Sequence, residues 1–551
     1  MKVKVCHNGD DVFIAWKPKG FIDECRGFAL LRRRNGVEET VSTWVGFEKQ
    51  DHKAGERRAS TNWPIQKYQW TDYMANPGDT VQYRVVPMVG PDKDNLRVAP
   101  DKASDWTDEI TLSAEFDPKM EAYFNRGIVA AQWVSRRLGI TDKDLKTGAL
   151  REVIETPGDS FREYLYGPLG SRLFELLEHV RKQKLEIYAA LYELDDKQLE
   201  DALVKIGKRA HIVLANGSVK KKGLDQNDDA RKKLSGRVDL HDRMISPGAL
   251  GHNKFLVICD KNKKPQYVWT GSQNWTKTGL CTQANNSVLI ENAKVAGEYK
   301  KQWELLKSAG NATPDTLKAS NTTPREPSAK VRLWFTPTVG QVDLKEAKKI
   351  ILGAKHSILF LMFNPGPKDT LLNTIIAQAR KTPVGKRLYI HGAINQDPGS
   401  TKNPVELFED ANSEKADFDV TLPAEIDKAT TWFAREMKKL PKTFAMVHSK
   451  VVLVDAFGAK PVLMTGSHNL GPKASGTNDE NFLIIRDAPG LAAAYAANIM
   501  AIYNQYRWRF RRSAQPVAKR WNGLKDSDAW QTGYLKDGSR AKREMDFWVG
   551  S

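Results

Sequence analysis

GHNKFLVICD at residues 251–260, followed by TGSQNW at 270–275, has a counterpart in the same chain: VHSKVVLVD at 447–455, followed by TGSHNL at 465–470. Each passage runs from His-x-Lys through an apolar stretch to an Asp, then to Thr-Gly-Ser-x-Asn. Alternate residues of a strand share a face. His448 and Lys450 therefore project together, as do Ser467 and Asn469 from the next strand, and His252, Lys254, Ser272 and Asn274 repeat the set. An imidazole, an ammonium, a hydroxyl and a carboxamide thus leave strands otherwise built of Val, Leu and Ile. Two such faces brought together make a pocket suited to a tetrahedral anion. Its cations and amides hold the oxygens, one imidazole attacks phosphorus, and the other protonates the leaving oxygen.

Working outward, the repeat extends beyond the motifs. LEIYAALYEL (185–194) reads as a buried strand, DKQLEDALVKIG (196–207) as a helix and AHIVLANG (210–217) as a strand. AKKIILGAKHSILFLMFN (347–364), DTLLNTIIAQARK (369–381) and KRLYIHGAIN (386–395) repeat that order. MEAYFNRGIVAAQWVSRRLGI (120–140) and SRLFELLEHVRK (171–182) carry apolar residues at helical spacing. Helices alternating with apolar strands predict α/β layers. Residues 310–330, rich in Pro, Ser, Thr and Asn, read as an irregular linker between the halves, placed to lie near the site.

Residues 1–113 differ. DVFIAWKP, GFALLRRRNG, TVSTWVGF, YQWTDY and TVQYRVVPMVG read as short strands, and Asn35-Gly36 is a hairpin signal. The arrangement resembles a fibronectin type III sandwich, with Trp16 on an early core strand and Tyr83 on a late one. The expected domains are this module (1–113), a first half (118–309), the linker (310–330) and a second half with a C-terminal extension (331–551).

Two copies of His-x-Lys…Asp followed by Gly-Ser-x-Asn resemble the phospholipase D superfamily, the HKD phosphodiesterases. The resemblance covers roughly residues 120–510 and includes the flanks QANNSVLI and TNDENFLII. It implies a duplicated α/β/α sandwich with two pseudo-symmetric halves. It also implies a cofactor-free, metal-independent reaction through a covalent phosphohistidine. By family tendency His252 is the nucleophile and His448 the general acid, with Lys254, Lys450, Asn274 and Asn469 around the phosphate and Ser272 and Ser467 supporting. Glu480 matches the acidic position that orients a catalytic imidazole, and Asn286 is read as its first-half equivalent, so the halves are unequal.

The copies also differ in spacing: Asp260 lies six residues after Lys254, whereas Asp455 lies five after Lys450. From Asp to Ser both intervals are twelve, so the extra residue falls between Lys254 and Asp260. A one-residue β-bulge in FLVIC is expected to return Asp260 to the place of Asp455, where either Asp serves a structural role behind the site.

A net charge of +18 favours polyanionic partners, nucleic acid or an anionic membrane surface. No apolar run approaches a membrane span, and the start MKVKVCHNGDDVF becomes charged before an apolar signal core forms. A cytoplasmic location, or export by a route without an N-terminal signal, is expected. Cys6, Cys25, Cys259 and Cys281 show no metal-ligand spacing and are expected as free thiols, a Cys6–Cys25 disulfide being the alternative. Lys220–Lys222 and His241 read as polar loop residues, and RWRFRR (507–512) as half core, half rim. A monomer is expected, since both motifs share one chain. The favoured activity is phospholipase D-type hydrolysis of glycerophospholipids. A metal-independent nuclease and a non-catalytic HKD-fold scaffold stay open as alternatives.

Overall fold

The computed structural model describes residues 1–50, 56–127, 149–382, 387–395, 397–399, 405, 407–409, 418–421, 447–514 and 523–550. The chain divides into two compact units: one holds residues 1–114 with 514–551, the other residues 115–409 with 418–513.

The larger unit contains the duplication as two eight-stranded sheets. Strands of the first are β1 (Glu115–Asp117), β2 (Met120–Phe124), β3 (Glu186–Leu191), β4 (Ala210–Ala215), β5 (Asp239–Arg243), β6 (Lys254–Cys259), β7 (Pro265–Gly271) and β8 (Asn286–Glu291). They lie in the order β1-β2-β8-β7-β6-β3-β4-β5. The second sheet has β9 (Val331–Thr336), β10 (Ser357–Met362), β11 (Tyr389–Ile394), β12 (Phe408–Glu409), β13 (Phe418–Thr421), β14 (Lys450–Val454), β15 (Val462–Gly466) and β16 (Glu480–Arg486). Its order is β9-β16-β15-β14-β10-β11-β13-β12, so β2, β8, β7, β6, β3 and β4 correspond to β9, β16, β15, β14, β10 and β11. Every residue of β6, β10 and β14 is buried. Such strands read as unbroken apolar runs because both faces are covered. Helices Ser160–Gln183, Lys197–Ile206 and Ala293–Ala309 accompany the first sheet, and Val342–Leu352 and Leu371–Lys381 the second. The architecture is the duplicated α/β/α sandwich.

Four local readings are corrected. MEAYF, read as the start of a helix, is strand β2, because it pairs antiparallel with β8 from Met120–Ile290 to Phe124–Asn286. The rest of that predicted helix, from residue 128, lies outside the described residues. The linker contains a short helix, Asp315–Asn321, and its start is fastened: the Arg243 guanidinium donates to the carbonyls of Gly310 and Ala312. His241 lies on β5, its Nε2 3.0 Å from Asp239, rather than in a loop. Lys220, Lys221 and Lys222 are exposed. Arg507 pairs with Asp419 at 3.2 Å, and the side chains of 508–512 lie outside the described residues.

The fourth correction concerns the extra residue. β6 pairs with β3 without interruption from Glu186–Cys259 to Leu191–Lys254, so FLVIC holds no bulge. The irregularity is on the opposite strand: Ile258 faces Tyr267 while Cys259 faces Pro265, leaving Gln266 as the extra residue. In the second sheet Ile358 faces Val454, which sets Asp455 beside Ser357; the first-sheet residue at that place is Cys259. Asp260 instead closes the hairpin turn, its Oδ1 accepting the N–H groups of Asn262 (2.8 Å) and Lys264 (2.9 Å). Asp455 pins the start of β10 by accepting from the backbone of Lys355, His356 and Ser357 at 2.7–3.1 Å. Asp455→Ala is therefore expected to lower unfolding free energy by about 1–3 kcal/mol, and Asp260→Ala by less, in denaturant titrations.

Arg243 also joins the halves, its Nε 2.8 Å from Asp479 Oδ2, with both side chains buried. Removing one partner of such a pair strands the other charge away from water. Arg243→Ala is expected to cost about 3–5 kcal/mol, read as a lower denaturation midpoint.

In the smaller unit Lys2–His7, Val12–Lys17 and Gln69–Asp72 form one sheet, and Cys25–Arg34 pairs with Thr80–Val89 in the other. Asn35 and Gly36, both at positive φ, turn Cys25–Arg34 into Val37–Thr40, as a two-residue hairpin loop requires. Trp16 and Tyr83 are fully buried in its core. The C-terminal extension, grouped with the second half in the sequence reading, belongs here. Met545 enters the core, Trp548 packs on Phe13 at 4.3 Å, and Trp530 Nε1 donates to the Cys25 carbonyl at 2.9 Å. Met545, Trp548 and Trp530 thereby tie the extension to the N-terminal module. All four cysteines are buried free thiols. Among the described residues, no helix is long and apolar enough to cross a membrane.

Candidate active site

The two halves meet where their motif strands begin. The His448 and Ser449 amides donate to the Ala284 carbonyl at 3.0 and 2.9 Å, and Val447 bridges Ala284. Around that contact the halves exchange matched hydrogen bonds. Asn286 Nδ2 donates to Thr465 Oγ1 at 2.9 Å, and Thr270 Oγ1 donates to Asn481 Oδ1 at 2.8 Å. Tyr495 and Tyr299 bond the same two asparagines.

This exchange corrects one residue assignment. Ser272 Oγ donates to Asn285 Oδ1 and receives the Asn286 N–H; Ser467 Oγ donates to Glu480 Oε2 and receives the Asn481 N–H. Asn285, not Asn286, is therefore the counterpart of Glu480, and Asn286 is an interface residue matching Asn481. The flanks alone left the register one residue out, because Asn occupies both 285 and 286.

His252, Lys254, His448 and Lys450 are all buried, and they lie close enough to lower one another's proton affinity. Lys254 Nζ donates to the His252 carbonyl at 2.7 Å, and Lys450 Nζ to the His448 carbonyl at 2.6 Å. Each pair rests on an aromatic ring that directly follows the neighbouring strand. Tyr192 lies 4.6 Å from the His252 ring and 4.6 Å from Lys254 Nζ; Phe363 lies 4.8 Å from both His448 and Lys450. Ile187 and Ile358 hold matching places on β3 and β10, and the two aromatics stand five residues after each of them.

The imidazoles are held differently, and across the halves. Glu480, from the second half, accepts from His252 Nδ1 at 2.7 Å. Asn285, from the first, accepts from His448 Nδ1 at 2.9 Å. Either partner places the proton on Nδ1 and leaves Nε2 for chemistry; only Glu480 can also stabilise positive charge on its ring. Burial pushes the Glu480 carboxyl up to about 7, against the pull of Lys254 and His468. Burial lowers both imidazoles, with Lys254 and Lys450 next in effect. Lys254 is brought down by burial to about 7, with Glu480 and Glu193 opposing that fall.

Asn274 Nδ2 donates to Glu193 Oε2 at 2.6 Å, so Glu193, absent from the sequence reading, stands in the same pocket. Asn469 is half-buried, its Oδ1 without a hydrogen-bond partner among the described residues. Asp260 and Asp455 lie at strand ends behind the site.

The sequence profile of the family described as "Cardiolipin synthase, PLD-like domain" matches residues 176–306 and 348–505, more than half of the chain. The chain belongs to this family of phospholipase D-like proteins. Phospholipase D of Rickettsia prowazekii (strain Madrid E) is 30% identical over 148 residues, 26% of this chain and 66% of that protein. Phospholipase D of Rickettsia typhi (strain ATCC VR-144 / Wilmington) is 29% identical over 141 residues, covering 25% and 62%. This chain thus spans just under two thirds of the length of these relatives. Among solved structures, phosphatidylserine synthase of Haemophilus influenzae Rd KW20 is similar at 14% identity and a TM-score of 0.39, over 70% of this chain and 94% of that one. Nuc of Salmonella typhimurium, a phospholipase D family member, is similar at 22% identity and a TM-score of 0.22, over 26% and 93%.

Proposed function

We propose that this chain is a phosphodiesterase that cleaves a phosphodiester in two steps at the pocket formed by both halves, with glycerophospholipids as the leading substrate class. The observation that carries the reading is the unequal holding of two buried imidazoles, one by a carboxylate and one by an amide. In the first step His252 Nε2 attacks phosphorus and forms a P–N bond. The P–O bond to the leaving alcohol breaks, and that oxygen takes the Nε2 proton of His448, which enters this step as an imidazolium favoured by the bound phosphodiester anion and leaves it neutral with its proton on Nδ1. The phosphohistidine carries positive charge on its ring, which Glu480 offsets. In the second step water gives its proton to His448 Nε2 and attacks phosphorus; the P–N bond breaks and a phosphomonoester leaves. Lys254, Lys450, Asn274 and Asn469 hold the non-bridging oxygens, as preorganised donors do best in a buried site.

Phospholipid leads because both motifs share one chain, the usual phospholipase and phospholipid-transferase arrangement, and because the curated relatives carry the name phospholipase D. The +18 charge favours the second reading, a nuclease. The module of residues 1–114 is proposed as an accessory binding or packing domain of fibronectin type III type.

The test is a substrate panel in EDTA: phosphatidylcholine vesicles, single- and double-stranded DNA, and RNA, beside a His448→Ala control. Choline release is the expected outcome. Shortened nucleic acid without choline release replaces the lipid reading with the nuclease. Inertness with retained affinity makes the chain a scaffold, and strict dependence on added divalent metal contradicts the mechanism.

A further inference from the structure

We infer that Glu193 sets the charge selectivity of this pocket, admitting singly charged phosphodiesters and disfavouring doubly charged phosphomonoesters; the inference rests on the hydrolytic reading above and deepens it. Glu193 follows β3 and is only half-buried, whereas His252, Lys254 and Lys450 around it are buried. Its Oε2 is fixed 2.6 Å from Asn274 Nδ2; burial raises its carboxyl, and Lys254 and Lys450 pull it back towards the carboxylate form. The repeat does not require it. Leu191 faces Lys254 and Met362 faces Lys450, so the second-half counterpart of Glu193 is Asn364, an uncharged amide. The first half has thus added a second carboxylate to a site that, besides Glu480, is built of cationic, aromatic, hydroxyl and amide groups.

A bound anion restores the Lys254 ammonium, and a pocket with two ammonium groups and without Glu193 would then bind a phosphomonoester dianion more tightly than a diester monoanion. The reaction product is that dianion, since the second phosphate pKa is about 6. Coulomb energy is linear in ligand charge. Glu193 therefore penalises the dianion twice as much, in free energy, as the monoanion, and shortens the residence of product.

The experiment is titration calorimetry at pH 8 with inorganic phosphate and with dimethyl phosphate, on the full chain, its Glu193→Gln and its Glu193→Asp variants. Glu193→Gln is expected to raise the affinity ratio of phosphate to dimethyl phosphate about tenfold or more, and Glu193→Asp to leave the ratio near that of the parent. Equal changes for both ligands, or none, would overturn the inference and leave Glu193 as a support for Asn274. If Glu193→Gln fails to fold, the parent chain decides: a ratio near or below one is expected, and phosphate bound more than about tenfold tighter than dimethyl phosphate overturns it. Binding needs no turnover. A chain that hydrolyses nothing yet shows the shift loses the hydrolytic reading and keeps the selector.

Discussion

His252→Ala is expected to lower diester hydrolysis by about 10⁴-fold or more, because it removes the atom that forms the P–N bond. His448→Ala should separate the two steps. With bis(4-nitrophenyl) phosphate the leaving phenolate needs no proton, so attack by His252 survives the change. Water then lacks its base, and the phosphoenzyme persists. The expected trace is a burst of about one equivalent of nitrophenolate per chain, followed by slow turnover. With an alkyl diester, whose leaving alkoxide must be protonated, no burst should appear. A burst from His252→Ala and none from His448→Ala would exchange the two roles.

The second large effect is expected at Glu480. Glu480→Gln keeps the shape of the side chain but removes the charge opposite His252 Nδ1, which lies 2.7 Å away. A loss of about 10²–10³-fold in kcat is expected, within the range that positioned acid–base groups contribute. Its pH signature is distinct. The Glu480 carboxyl is raised to about 7, so in the parent chain kcat/KM should fall as pH drops below about 7 and this carboxyl takes up a proton. Lys254 is lowered to about 7, so kcat/KM should also fall as pH rises and its ammonium is lost. The two limbs give a narrow bell near neutrality. Bound diester, a monoanion, raises the Lys254 value, so the alkaline limb in kcat should lie higher. Glu480→Gln should abolish the acid limb and leave the alkaline one. An unchanged acid limb would mean that another group controls His252. Asn285→Asp, placing a carboxylate opposite His448, should partly equalise the two rings.

Much of the larger unit could be read in advance because its strands are buried on both faces and therefore spelled as apolar runs. The doubled His-x-Lys and Gly-Ser-x-Asn spacings then placed His252, Lys254, His448 and Lys450 at the start of paired strands. What escaped depends on contacts distant in sequence. Met120–Phe124 has a spacing that suits a helix, and pairing with β8 and β1 makes it a strand. Glu480 lies 228 residues from His252, and no local pattern announces that it crosses to the other half. The counterpart of Glu480 was displaced by one because Asn285 and Asn286 are chemically identical; the serine hydrogen bonds decide between them. The missing bulge has a similar origin, since a count between His and Asp does not say which strand of the hairpin absorbs the extra residue. Tyr192 and Phe363, by contrast, stood in matched positions and were legible.

The central claim is that the carboxylate-held imidazole carries the phosphoryl group while the amide-held one moves protons. Its most direct measurement is acid-free quenching of His448→Ala during turnover of ³²P-labelled bis(4-nitrophenyl) phosphate, followed by proteolysis and peptide mapping. One labelled peptide is expected, containing His252 and lost on His252→Ala. Label on a peptide containing neither histidine, or no covalent label while turnover proceeds, would contradict it.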